Sequence, residues 1–247
     1  FIYSDMKKMV TIVLIFFILS CCEGEENAIL LSNLNYLEID DSGELIINRD
    51  YGFHLIENEK GIDSSFAMIL IHGYGSLGKE WIQPIIELSS KSVQMYWYRW
   101  DWNQCPDEAQ KQLLDSLLFF ENNNAELDSL LIIGHSYGGL IAAMISEKWT
   151  GKIKLNIHSV AAPLAGISKV RILYDFEKEK YEVGPNTNLM QWITVQSHDN
   201  VFNEYKIDPQ IVNLINGKVY RLSKVWDGKR LGHNRSILFI TKQILKE

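Results

Sequence analysis

The run Leu130–Ile145, LLIIGHSYGGLIAAMI, joins two apolar stretches across Gly134-His135-Ser136-Tyr137-Gly138. The aliphatic residues before the break read as a strand buried on both faces of a parallel sheet. Gly138 to Trp149 reads as a buried helix of small and apolar residues. A plain tight turn is one reading of the break, since Gly and Ser are ordinary turn residues. The other is a nucleophile, because G-x-S-x-G between strand and helix holds a serine out on a strained corner. Gly134 and Gly138 are then required, as bulky side chains two positions either side of Ser136 collide. The helix N-terminus behind the serine offers free N–H groups to developing negative charge. Partners elsewhere in the chain decide between the two readings.

Strands and helices alternate around this run. Gly43–Asn48 and Tyr51–Asn58 read as two short strands in an antiparallel hairpin, and Ser65–Ile71 as a buried strand. A glycine-rich turn, 73–78, leads into a helix over 79–90, followed by a strand over 93–97 and a helix over 106–122 that opens Pro-Asp-Glu. After the central strand and helix come a strand over 153–161 and a charged insertion over 167–188. A strand over 192–196, a helix over 208–216, a strand over 218–223 and a helix over 234–245 complete the chain. Such alternation predicts a parallel sheet covered on both faces, with ligands bound beyond the carboxyl ends of its strands.

Composition narrows the function. The 247 residues suit one α/β domain. A formal charge of −7 leaves no electrostatic footprint for nucleic acid. The three cysteines have neither a disulfide framework nor metal-site spacing, and Cys105, before Pro106, reads as an incidental thiol. Neither a metal nor a cofactor is expected.

The first residues read as a targeting signal. Met6-Lys7-Lys8-Met9 is basic, and Val10–Leu19 is an apolar run too short for the ~20 residues of a membrane span. Residues 1–20 are therefore expected to be a signal peptide, with 1–5 upstream read-through; an uncleaved short anchor is the alternative. Ile18-Leu19-Ser20-Cys21 resembles a bacterial lipoprotein signal. That resemblance implies export, lipidation of Cys21 and membrane contact through the lipid, with plain secretion as the other outcome. A tether and N-terminal segment over 21–42 and the α/β domain over 43–247 follow.

Several segments together resemble the lipase and carboxylesterase members of the α/β-hydrolase family, from about Phe66 onward. They are Ile71-His72-Gly73-Tyr74-Gly75, Gly134–Gly139 and Ala161-Ala162-Pro163-Leu164-Ala165-Gly166, each after a strand. The resemblance implies a three-layer α/β-hydrolase fold, a mostly parallel central sheet with helices on both faces and a small lid over 167–188, for which a solvated charged loop is the alternative. In that fold the catalytic order is Ser…Asp/Glu…His. His54, His72 and His135 precede or adjoin Ser136 and fail the order. His158 sits within a strand, and His198 has no strand-end acid before it. His233, in Gly232-His233-Asn234-Arg235 after the last strand, passes, with a capping or surface histidine as the plainer alternative. Asp199, in Ser197-His198-Asp199-Asn200-Val201, resembles the lipase acid loop; Asp227, in a Trp-Asp-Gly turn, is its rival. Asp208, before Pro209, reads as a helix N-cap.

The implied chemistry is hydrolysis of carboxylic esters of apolar or lipid acyl groups by Ser136, Asp199 and His233. The oxyanion would meet the backbone N–H of Tyr137 and, by resemblance, that of Tyr74. Tyr96–Trp102, dense in aromatics, lines an acyl pocket or packs the core. An acyltransferase with the same triad, or an idle hydrolase fold used for binding, remains an alternative. A small-molecule or lipid ester is the expected partner, and a monomer the expected state.

Overall fold

The computed structural model describes residues 28–57, 63–167 and 172–246. The expected signal peptide and Cys21 lie outside the described residues. In chain order the strands are β1 (Ile29–Leu30), β2 (Gly52–Glu57), β3 (Asp63–Ile71), β4 (Val93–Arg99), β5 (Ser129–His135), β6 (Lys154–Val160), β7 (Lys180–Glu182), β8 (Thr187–Ile193), β9 (Asn213–Ile215), β10 (Lys218–Arg221), β11 (Val225–Trp226) and β12 (Lys229–Arg230). The labelled helices are α1 (Ile39–Ile47), α2 (Lys79–Leu88), α3 (Pro106–Asn123), α4 (Tyr137–Ile145) and α5 (Arg235–Ile244).

Eight strands form one sheet in the order β1-β2-β4-β3-β5-β6-β8-β10. From β4 to β10 every neighbouring pair is parallel, and β2 runs antiparallel to β4. Continuous aliphatic runs such as Leu130–Ile133 are buried on both faces, because helices cover both. Leu113 and Leu117 of α3 pack with Leu140 and Ile141 of α4 on one face. On the other lie Ile46 of α1, Trp81, Ile82 and Ile85 of α2, and Ile237 and Ile240 of α5. This is the expected three-layer arrangement. The carboxyl ends of β3, β5, β8 and β10 all open at one end of the sheet, where loops 72–78, 194–203 and 222–234 meet Ser136.

Four local expectations are corrected. The segment read as a strand over Gly43–Asn48 is the helix α1, which begins with acids Asp40 and Asp41 in its first turn. Its Ile46 and Ile47 are buried against α2, so tertiary packing overrides a short apolar run that either structure could use. The fold also starts before residue 43: Ile29 and Leu30 pair with β2, and Ile29 and Leu34 are buried. No helix forms over 208–216. The Asp208 side chain accepts a 3.0 Å bond from Gln210 N, a local turn that competes with helix, and 213–215 instead pairs with β7. Finally, β8 starts at Thr187, so the expected insertion yields its last two residues to the sheet. Within its described part are a helical turn at 172–174 and β7.

Candidate active site

Ser136 stands between β5 and α4 at φ 54° and ψ −122°, a conformation that a non-glycine residue adopts only under strain. Its N–H donates 2.9 Å to Val160 O, and its own carbonyl accepts from Leu140 N at 3.1 Å, which pins the corner between sheet and helix. The flanking glycines serve space rather than conformation, since neither has a positive φ. A Cβ on Gly134 would stand 2.6 Å from Gly138 O, and one on Gly138 would stand 2.6 Å from Ile71 O. Tyr137 is the first residue of α4, so its N–H has no intrahelical acceptor.

Asp199 arrives on the loop after β8, and His233 on the segment after the β11–β12 hairpin. Asp199 Oδ2 lies 2.9 Å from His233 Nδ1, and both side chains are buried. A carboxylate only accepts, so Nδ1 carries the proton and Nε2 is the free basic nitrogen. Three further donors hold the carboxylate: Thr194 Oγ1 at 2.6 Å, Val201 N at 2.9 Å and Phe202 N at 3.3 Å. Burial acts to raise the Asp199 pKa, but the bonds from His233, Thr194 and Val201 outweigh it and hold the group below its ordinary 3.8. Asp199 is therefore ionised at neutral pH. Asp227 lies elsewhere, on the β11–β12 turn, with its side chain 84% exposed and 4.0 Å from Arg235.

A cavity of about 580 Å³ brings the serine and the histidine together. Ser136, His233, Tyr74 and Tyr137 line it, with Leu77, Ile167, Leu173, Val201, Phe202 and Trp102 among the apolar walls. The loop after β3 brings Gly73 against the serine: a Cβ there would stand 2.8 Å from Ser136 Cβ. Tyr74 thus follows a residue packed directly against the nucleophile. Of the expected aromatic segment, Trp102 reaches the cavity, while Trp97 and Trp100 are core.

Of the other histidines, His135 also lines the cavity, whereas His54 and His158 stand outside it. His135 Nε2 lies 3.3 Å from His233 O, and the two rings are 4.6 Å apart. Burial first, and the nearby His233 second, push the His135 pKa well below 6.5. His158 stacks on Trp192 at 5.7 Å. His54 Nε2 is bonded to Asp50 O at 2.8 Å. Sequence reasoning missed Thr194 and the His72 side chain. Thr194 lies at the end of β8, five residues before Asp199, and that spacing was its only signal.

No protein-family model and no curated protein matches the sequence. Solved structures do. Est1E from Butyrivibrio proteoclasticus, with ferulic acid bound, has a TM-score of 0.53 at 11% identity, covering 79% of this chain and 92% of that one. An alpha-beta serine hydrolase homologue from Coxiella burnetii has a TM-score of 0.49 at 12% identity, covering 78% and 89%. The esterase Pf2001 from Pyrococcus furiosus has a TM-score of 0.49 at 12% identity, covering 81% and 90%. At such identity the likeness to Est1E establishes architecture alone, and that architecture agrees with the sheet order and the two helical layers: the chain has the α/β-hydrolase fold.

Proposed function

We propose that this protein hydrolyses carboxylic esters of apolar acyl groups through Ser136, His233 and Asp199. The observation that carries the reading is the buried Asp199–His233 pair, whose histidine lines one cavity with a serine held at positive φ. His233 Nε2 takes the Ser136 proton as Oγ bonds to the ester carbonyl carbon, and the carbonyl electron pair moves onto oxygen. The N–H groups of Tyr74 and Tyr137 are the donors for that oxyanion. Its collapse breaks the bond to the alkoxy oxygen, which leaves as alcohol with the proton from His233. Water then gives a proton to His233 and adds to the acyl carbon. The second collapse frees the carboxylic acid and returns the proton to Ser136. Asp199 keeps His233 in the required tautomer and stabilises its cation.

The walls of Leu77, Ile167, Leu173, Val201 and Phe202 favour an apolar acyl chain over a charged one. The same reading has the mature chain exported and tethered by a lipid on Cys21. Turnover of aryl esters of graded chain length, beside Ser136→Ala and fluorophosphonate labelling, tests the chemistry. Retained activity in Ser136→Ala, or an unlabelled wild type, refutes it. An unmodified mature N-terminus in a mass measurement refutes the tether.

A further inference from the structure

We propose that the His72 side chain is a positioning residue that aims the Tyr74 N–H, and that Arg99 clamps His72 in place. The proposal rests on the ester-hydrolase reading and goes beyond it, since that reading uses only the backbone of this loop. His72 is fully buried directly after β3. Its Nδ1 lies 3.0 Å from Gly73 O, which can only accept, so Nδ1 carries the proton. Its Nε2 faces Arg99 Nη1 and the Trp100 backbone N–H, each at 3.4 Å and each a donor. One protonation state satisfies all three contacts: the neutral ring with its proton on Nδ1.

The ring has little room to turn. It lies between Trp97, 5.3 Å away at 31°, and Trp100, 5.7 Å away at 26°, with Trp102 edge-on at 5.5 Å. Trp100 Nε1 also donates to His72 O at 3.0 Å. Burial above all, with the Arg99 charge acting the same way against the Gly73 bond, holds the His72 pKa at about 3.

The Gly73 carbonyl and the Tyr74 N–H are opposite edges of one planar trans peptide. Holding the oxygen on one side therefore fixes the direction of the N–H on the other. Because Gly73 sits against Ser136, that direction matters at the nucleophile, where a donor acts only if it is aimed before charge develops. Arg99 is itself committed. Its Nε donates to Ile47 O at 2.6 Å and its Nη1 to Trp100 O at 2.5 Å, while its guanidinium lies 4.7 Å over the Trp102 ring. Ile47 ends α1, and Gly43 of the same helix presses on Leu77 and Gly78. One end of loop 72–78 thus rests on α1 directly and the other through Arg99.

The test uses the full chain, with His72→Phe, Arg99→Gln and Arg99→Lys. For each, kcat and KM on a short aryl ester are compared with the Ki of a trifluoromethyl ketone, whose adduct with a serine carries an oxyanion. His72→Phe is expected to lower kcat about 10- to 100-fold, with KM within about twofold, and to weaken the ketone in parallel. Arg99→Gln is expected to do the same more weakly, and Arg99→Lys to recover part of the loss. Unchanged kcat, a rise confined to KM, or a ketone affinity that ignores the kcat loss overturns the proposal. If His72→Phe does not fold, Arg99→Gln carries the same comparison. Nitrogen NMR of the wild type gives a readout free of turnover: a proton on His72 Nε2 overturns the clamp. A wild type that neither turns over esters nor takes a fluorophosphonate fails the ester-hydrolase reading instead.

Discussion

The Thr194 hydroxyl donates a 2.6 Å hydrogen bond to Oδ2 of Asp199, the same oxygen that faces His233 Nδ1. The carboxylate that orients His233 is therefore itself oriented from β8. Thr194→Val keeps the shape and deletes the donor. A buried bond to a charged group contributes about 1.5–3 kcal/mol, and urea unfolding at pH 7 is expected to show a loss of that order. The Asp199 pKa is depressed in the fold, so its stabilisation is complete above about 3.8 and fades as pH falls through the lower folded value. The gap between wild type and Thr194→Val should accordingly be full at pH 7 and narrow in acid, as the pH falls through the variant's folded Asp199 pKa toward the lower one of the wild type. A gap that stays constant down to the acid unfolding of the wild type contradicts this account.

Two aspartates competed for one role in the sequence, and geometry separates them. Asp199 touches His233, whereas Asp227 is exposed on a hairpin turn at φ 50°. Asp199→Asn presents an amide to His233 and permits the wrong tautomer, for which a fall in kcat of about 10⁴ is expected. Asp227→Asn should leave kcat within about twofold, because it removes only an exposed contact to Arg235. Steady-state kinetics of the two variants, side by side, decide the assignment. Equal losses would refute it.

What was legible in the sequence followed from local chemistry. The strand and helix around Ser136 show as uninterrupted apolar runs, and Asp199 and His233 each follow a strand in the order Ser…Asp…His. The misread segments are those whose conformation depends on distant partners. Residues 43–48 carry too few apolar positions to distinguish helix from strand, and only α2 packing on Gly43 and Ile46 settles them. Asp208-Pro209 resembles a helix start, yet Gln210 turns back to Thr194, where its Oε1 accepts from the Thr194 N–H at 3.0 Å. The His72–Arg99 contact spans 27 residues, and no pattern in either segment announces it.

The elbow glycines make a prediction about stability as well as activity. Gly138→Ala places a methyl 2.6 Å from Ile71 O and 2.9 Å from an Ile71 side-chain carbon, on the strand that leads into loop 72–78. Backbone cannot yield as a flexible side chain can, so overpacking of about 1–3 kcal/mol is expected. The strain reaches the loop that carries Tyr74, and kcat should fall with it. Gly75→Ala is the control. It meets nothing within 4 Å but is strained by its φ of +62°, so its cost is conformational, about 1–2 kcal/mol. Urea midpoints for both variants, read against kcat, test the distinction. Wild-type stability in Gly138→Ala would show that the elbow has slack.

Three buried histidines make the stability of the fold depend on pH in acid. Burial holds the pKa of His72 at about 3 and that of His158 at about 4, and together with His233 pushes His135 well below 6.5. Above pH 6.5 folded and unfolded chains alike leave these rings neutral. As pH falls below that value the unfolded chain takes up protons that the folded chain refuses, so stability declines by up to about 1.4 kcal/mol per pH unit for each ring. The decline for His158 ends near pH 4, where its folded ring also titrates. His158 is the ring to replace, because it stacks on Trp192 rather than lining the cavity. His158→Phe keeps an aromatic ring and removes one of the three titrations. Between pH 6.5 and 4 its urea midpoint should fall less steeply than that of the wild type, with turnover at pH 7 unchanged. Parallel curves would mean that His158 is protonated in the fold over this range.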